Sequence, residues 1–134
     1  FLKLNRTNLG TKVVLEHVFM ELQKKLRPRM SLEIGAHRAE FSQNMRALFP
    51  DIEVVAFEAS PLVYEHYKAS EDFEGKRISY LNMAVSDVNG CIPFNVLTEN
   101  QGISGRSSLQ DRRDTPGKKL EVPSVNGDSF LKDC

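Results

Sequence analysis

The chain lacks tryptophan and holds only two cysteines and three histidines among its 134 residues. Cys91 and Cys134 stand far apart and in no metal-ligand or redox spacing. That argues against a disulfide framework or a cysteine-held metal and leaves a reducing, cytoplasmic setting as the expectation. No apolar run approaches the roughly 18 residues that a membrane span requires, and the amino end carries no signal-peptide pattern. Charge of one sign is missing too: 18 basic residues face 18 acidic ones, so no net field draws the chain to nucleic acid or to an anionic membrane. Internal repeats and low-complexity tracts are absent. So is a second glycine in the turn after the first apolar strand, where His37 stands instead, and this disfavours a G-x-G-x-x-G pyrophosphate cradle.

What is present suffices for a core, since 40% of the residues are hydrophobic and the length suits one domain over 1–134. Val14, Val18, Leu22 and Leu26 recur at helical spacing, which predicts an amphipathic lead-in helix over 11–27 that Pro28 closes, with Lys24, Lys25, Arg27 and Arg29 favourably placed at its carboxyl end. A short apolar strand over 30–34 ends at Gly35. Phe41, Met45, Leu48 and Phe49 then mark a helix that stops at Pro50. The nearly continuous apolar run 52–57 fits a parallel strand covered on both faces and delivers Glu58 to the sheet edge. Ser60 and Pro61 make a helix start, continued by Leu62, Val63, His66 and Tyr67. With a third strand over 78–81 the order becomes helix, then β-α-β-α-β, half of a doubly wound α/β sheet.

Beyond that point Asp87-Val-Asn-Gly90 is a turn signal between Ala84-Val-Ser86 and a strand over 91–96, which predicts an antiparallel hairpin excursion. Residues 98–119 read as a polar loop carrying Arg106, Arg112, Arg113, Lys118 and Lys119 against Asp111 and Asp114, either a lid over an acceptor, a segment recognising a phosphate-bearing one, or a solvated charged loop. A last strand is expected over 120–125 and a helical turn over 128–131. The domain therefore divides into the lead-in helix at 1–29, the β-α-β-α-β unit with its hairpin at 30–97, the loop at 98–119 and the start of a further half at 120–134.

Two carboxylates carry the chemistry. Glu33 lies in the first strand, two positions before the turn glycine, and a buried carboxylate there needs a partner. A cationic ligand such as the ammonium and sulfonium end of S-adenosylmethionine would supply one; backbone N–H groups of the following turn are the alternative. Gly35, Ala36 and Ala39 are small enough for the backbone to approach a ligand, and the strand-turn-helix context offers backbone N–H groups to it. Glu58 ends the second strand, where an acidic side chain accepts hydrogen bonds from ribose hydroxyls in open α/β sheets; the alternative is a solvated residue at a strand end. A phosphate-free adenosine cofactor fits these residues better than a dinucleotide does.

The series Glu33-Ile-Gly-Ala-His37, Val55-Ala-Phe-Glu-Ala-Ser-Pro61, Leu81-Asn-Met-Ala-Val-Ser-Asp87 with Asn89-Gly90, Ser107-Ser-Leu109, and Val122-Pro to Asp128-Ser-Phe-Leu131 resembles the FkbM family of S-adenosylmethionine-dependent methyltransferases. The resemblance implies a Rossmann-like class I methyltransferase core. Carried over by position, Glu33, Gly35, Ala36 and His37 would line the methionine end, Glu58 would hold the ribose, Ala59 and Ser60 would flank it, and Asn82, Met83 and Ala84 would face the adenine. It further implies methylation of a hydroxyl on a small-molecule, sugar or lipid acceptor, with no metal. No catalytic base is assigned: His37 is the one histidine in the turn, and contacting the cofactor or supporting the residues that do suits it better.

Two departures stand out. Ala39 replaces a glycine usual in the family, and the Asp-x-Glu-Gly segment such proteins carry further on is not in this chain, which reads as a fragment holding the cofactor half. A methyltransferase-like domain that binds a nucleoside or a partner without turnover is the competing expectation. A nicotinamide dehydrogenase ranks third.

Overall fold

A computed structural model describes residues 3–97 and 117–133. The lead-in helix α1 spans Lys3–Leu26 and begins earlier than its periodicity predicts. Strand β1 (Met30–Ile34), helix α2 (Glu40–Leu48), strand β2 (Glu53–Phe57), helix α3 (Pro61–Ser70) and strand β3 (Ser79–Leu81) follow as the spacing predicts. Strands β4 (Ala84–Ser86), β5 (Gly90–Leu97) and β6 (Gly117–Asn126) and helix α4 (Gly127–Asp133) complete the order. The expected lid falls largely outside the described residues, because 98–116 lie there and 117–119 belong to β6.

Among the described residues the strands form a parallel three-stranded sheet, β1-β2-β3, and a mixed three-stranded sheet, β4-β6-β5, so the α/β class and the parallel part of the expected doubly wound sheet are present. In the first, all pairs are parallel, with Glu33 opposite Ala56 and Ala56 opposite Tyr80. Side chains alternate across a strand, so Glu33, Ala56 and Tyr80 share one face while Ile34, Phe57 and Leu81 share the other. Ala36, Ala39, Met45, Val54, Ala56, Phe73, Ile78 and Tyr80 form a buried cluster on the first face, joined by Tyr64 and Tyr67 of α3 and Met20 of α1. Both crossover helices thus cover the same face, as successive right-handed crossovers in one direction require. On the opposite face Phe130 of α4 meets Phe57 edge to face at 5.2 Å.

The expected hairpin of β4 and β5 is not formed: β6 lies between them, parallel to β4 and antiparallel to β5. The Asp87–Gly90 turn is present, but its polar groups fasten to the end of β6. Asn126 donates its N–H to Asn89 Oδ1 at 2.7 Å and its side-chain amide to the Asp87 carbonyl at 2.8 Å, and Ser86 Oγ and Ser124 Oγ meet at 2.7 Å. Ala84, Phe94, Val96 and Val122 form the buried cluster of this second sheet. On α1 the predicted apolar stripe of Val14, Val18, Leu22 and Leu26 is exposed; among its described side chains Phe19, 5.5 Å from the Phe41 ring, and Met20 pack towards the α2 layer.

Candidate functional site

Parallel pairing brings the carboxyl ends of β1, β2 and β3 to one edge, and the residues after each strand meet there. The Ile34 to Phe57 register leaves the Phe57 carbonyl beyond the last β1 amide, and the turn uses it: Gly35 and Ala36 both donate their N–H groups to it at 2.9 Å. The next N–H, that of His37, goes to Glu58 Oε2 at 2.8 Å. Three consecutive amides of the turn therefore point into the protein, contrary to the expectation that they meet a ligand. A turn built this way has no nest for a phosphate and presents its exposed Gly35 surface instead.

This fold requires unusual backbone. Gly35, His37 and Ala39 have φ of 73°, 50° and 56°. Only glycine takes the left-handed region freely, so His37 and Ala39 are held there by their surroundings. Ala39 is the N-cap of α2 and is fully buried, but it has no side-chain oxygen with which to cap. Glu33 supplies the missing acceptor from β1: its Oε2 takes the N–H of Ser42, in the first turn of α2, at 2.8 Å. Of the two partners expected for Glu33, the structure therefore places backbone N–H against it. The Glu33 side chain also borders a groove of about 690 Å³ between α1 and α2, lined further by Phe19, Met20, Phe41 and Glu40.

Glu58 is the centre of the edge. It is 8% exposed, so it is not a solvated strand end. Its Oε1 accepts the Ser60 N–H at 2.8 Å, while Oε2 holds His37. Its own backbone is paired as well, with its N–H on the Leu81 carbonyl and its carbonyl accepting from Met83 N and Asn82 Nδ2. One residue thus ties together the turn after β1, the start of α3 and the segment after β3.

The remaining positions divide. Gly35, His37, Ser60, Asn82 and Met83 gather around Glu58, although the Ser60 hydroxyl is buried without a hydrogen-bond partner and makes no cap on α3. Ala36 is a core residue of the first sheet layer. Ala59 packs against the second cluster, and Ala84 is buried within it, so the Ala84 side chain does not face the edge. The His37 ring lies 4.7 Å from that of Tyr67. Tyr80, which the sequence reading passed over, reaches the same place: its hydroxyl donates to the His37 carbonyl at 2.5 Å. Its position opposite Ala56 and Glu33 on the helix-covered face was the available signal. Burial pushes the Tyr80 phenol above its ordinary range, with the Glu58 carboxylate adding to the effect.

Arg38 and Glu71 secure the flank. Arg38 Nε meets Glu71 Oε1 at 2.6 Å and Lys76 Nζ meets Glu71 Oε2 at 3.0 Å, and the Glu71 carboxyl is held below its ordinary range by Arg38 first and then Lys76.

Fold and edge together define an α/β protein with a parallel three-stranded sheet whose carboxyl ends carry a carboxylate-centred turn. Comparison with family models, curated proteins and solved structures gives no match. Among the described residues no helix is long and apolar enough to cross a membrane, and no cluster of three or more metal-ligating side chains occurs.

Proposed function

We propose that the edge formed by Gly35, His37, Glu58 and Asn82 binds the adenosine part of S-adenosylmethionine, and that the chain serves an FkbM-like methyl transfer to a hydroxyl of a small-molecule, sugar or lipid acceptor. The observation that carries the reading is the pairing of Glu58 with an inward-turned glycine turn. An ionised carboxylate offers about four lone-pair positions, two of which the His37 and Ser60 amides use. The other two suit a ribose diol. A turn whose first three amides are already bonded suits a ligand without phosphate. Glu33, facing the helix layer beside the groove, suits the cationic end of the cofactor. S-adenosylmethionine would supply an electrophilic methyl group; the residues at this edge would bind and orient it. Cytoplasmic residence belongs to the same proposal.

A second reading, a domain that binds without turnover, is favoured by the fact that both carboxylates already have protein donors. Calorimetric titration with S-adenosylhomocysteine tests binding for both. Saturable 1:1 association is expected, weakened about tenfold or more when the ribose is replaced by its 2′,3′-dideoxy form, since hydrogen bonds to a carboxylate contribute about 1.5–3 kcal/mol. No association with the parent ligand, or equal affinity for both, would sink the nucleoside reading. Changing the ligand is the sound test, because changing Glu58 also dismantles the turn. Binding without methyl transfer to any hydroxyl acceptor would leave the second reading.

A further inference from the structure

We infer that Tyr80 is a positioning residue for the nucleoside turn: its hydroxyl and the Glu58 carboxylate grip the two ends of His37's main chain and hold the left-handed conformation on which the turn's shape depends. This deepens the proposed function and rests on it for the binding arm of the test.

His37 N donates to Glu58 Oε2 at 2.8 Å and His37 O accepts from Tyr80 Oη at 2.5 Å. Between these two bonds φ is 50°, a conformation that a histidine keeps only when its surroundings over-determine it. The two grips come from different strands, Glu58 from the end of β2 and Tyr80 from β3, so the sheet imposes the turn on the loop. The phenol cannot swing away. Its ring is stacked between Phe73, at 4.3 Å with planes 28° apart, and Tyr64, at 5.0 Å with planes 21° apart. Only 8% of Tyr80 is exposed. Its raised phenol range keeps the proton on the oxygen, and the group remains a donor at any pH near neutrality.

The test is Tyr80→Phe, which retains the stacked ring and removes only the donor. Affinity for S-adenosylhomocysteine should fall about 5- to 30-fold, the effect of a lost buried hydrogen bond that leaves a carbonyl unsatisfied. Amide hydrogen exchange separates positioning from general support. The N–H groups of His37 and Ala39 should exchange at least about fivefold faster, while that of Ile78, bonded to the Phe73 carbonyl at 2.9 Å beside the ring stack, should not change. Unchanged turn exchange, or equal acceleration at Ile78, overturns the inference. So does wild-type affinity in a variant whose turn has loosened. Should Tyr80→Phe fail to fold, the wild-type protein decides by NMR: a slowly exchanging Tyr80 hydroxyl proton close to His37 supports the grip, and a rapidly exchanging one refutes it. If the wild type does not bind S-adenosylhomocysteine, the nucleoside reading falls, and the exchange rates still decide whether the grip exists.

Discussion

Glu58→Gln is nearly isosteric, yet it should be among the most damaging single substitutions at this edge. Each Glu58 oxygen accepts one backbone N–H at 2.8 Å, from His37 and from Ser60, and the residue is 8% exposed. Glutamine has one acceptor oxygen and an amide that can only donate. Whichever way it is turned, one buried N–H then faces another donor. Leaving that N–H unsatisfied costs about 1–3 kcal/mol, and the surviving bond loses its charge assistance, about another 1 kcal/mol. A total of about 2–4 kcal/mol is a large share of a domain stability of about 5–15 kcal/mol. At roughly 3–5 °C per kcal/mol for a chain of this size, Tm should fall by about 6–20 °C. Urea unfolding followed by circular dichroism, with thermal melts alongside, measures both quantities. A solvated strand-end carboxylate would change stability by less than about 0.5 kcal/mol, and that result would refute the reasoning.

The same logic ranks substitutions elsewhere. Glu33→Gln keeps an acceptor for the single N–H that Glu33 holds and should cost at most about 1 kcal/mol, whereas Glu33→Ala leaves Ser42 N uncapped beneath an alanine N-cap and should cost about 1–2 kcal/mol; chemical denaturation of the pair checks the order. Gly35→Ala meets no neighbouring atom within 4 Å, so its effect isolates the backbone strain of φ 73°: a loss of about 1 kcal/mol, and stabilisation instead would show the turn to be differently shaped. Because the Tyr80 phenol is raised in the folded state by burial, with Glu58, Tyr64, Tyr67 and Glu33 adding to it, the stability it confers is full below the ordinary tyrosine pKa of about 10 and is lost as pH rises above it. Melts between pH 9 and about 11 should fall more steeply for the wild type than for Tyr80→Phe, and parallel curves would contradict that sign.

The elements of the first sheet were legible because each rests on local signals: an apolar run closed by Gly35, the Phe41, Met45 and Leu48 stripe, and the Ser60-Pro61 start. Pairing in the second sheet was not legible. Asn89-Gly90 is a hairpin signal of turn conformation alone, and whether the flanking strands close on each other depends on β6, separated from them in sequence and tied in by Asn126 and Ser124. At the site, the positions of Glu33, Gly35 and Glu58 were readable from spacing, whereas the direction of the amides was not. That direction follows from the Ile34 to Phe57 register, which presents one carbonyl to two successive N–H groups. Tyr80 went unnoticed for a related reason: its role comes from sharing a face with Ala56 two strands away from the turn it serves.

The two carboxylates proposed as ligand groups build the scaffold of this edge. An acidic residue aimed at a ligand from a buried strand end must be fixed and desolvated before the ligand arrives, and backbone N–H donors accomplish this at no loss of charge. Glu58 is buried and fixed by two amides, while Glu33, partly buried, is fixed by one. Ala39 fits the same scheme. A side-chain cap at that position would relieve Glu33 of its amide, and with alanine there the helix depends on the carboxylate from β1. Placing charge at this edge and starting α2 are therefore a single structural problem, solved by Glu33, while Glu58 and Tyr80 solve the shape of the turn between them.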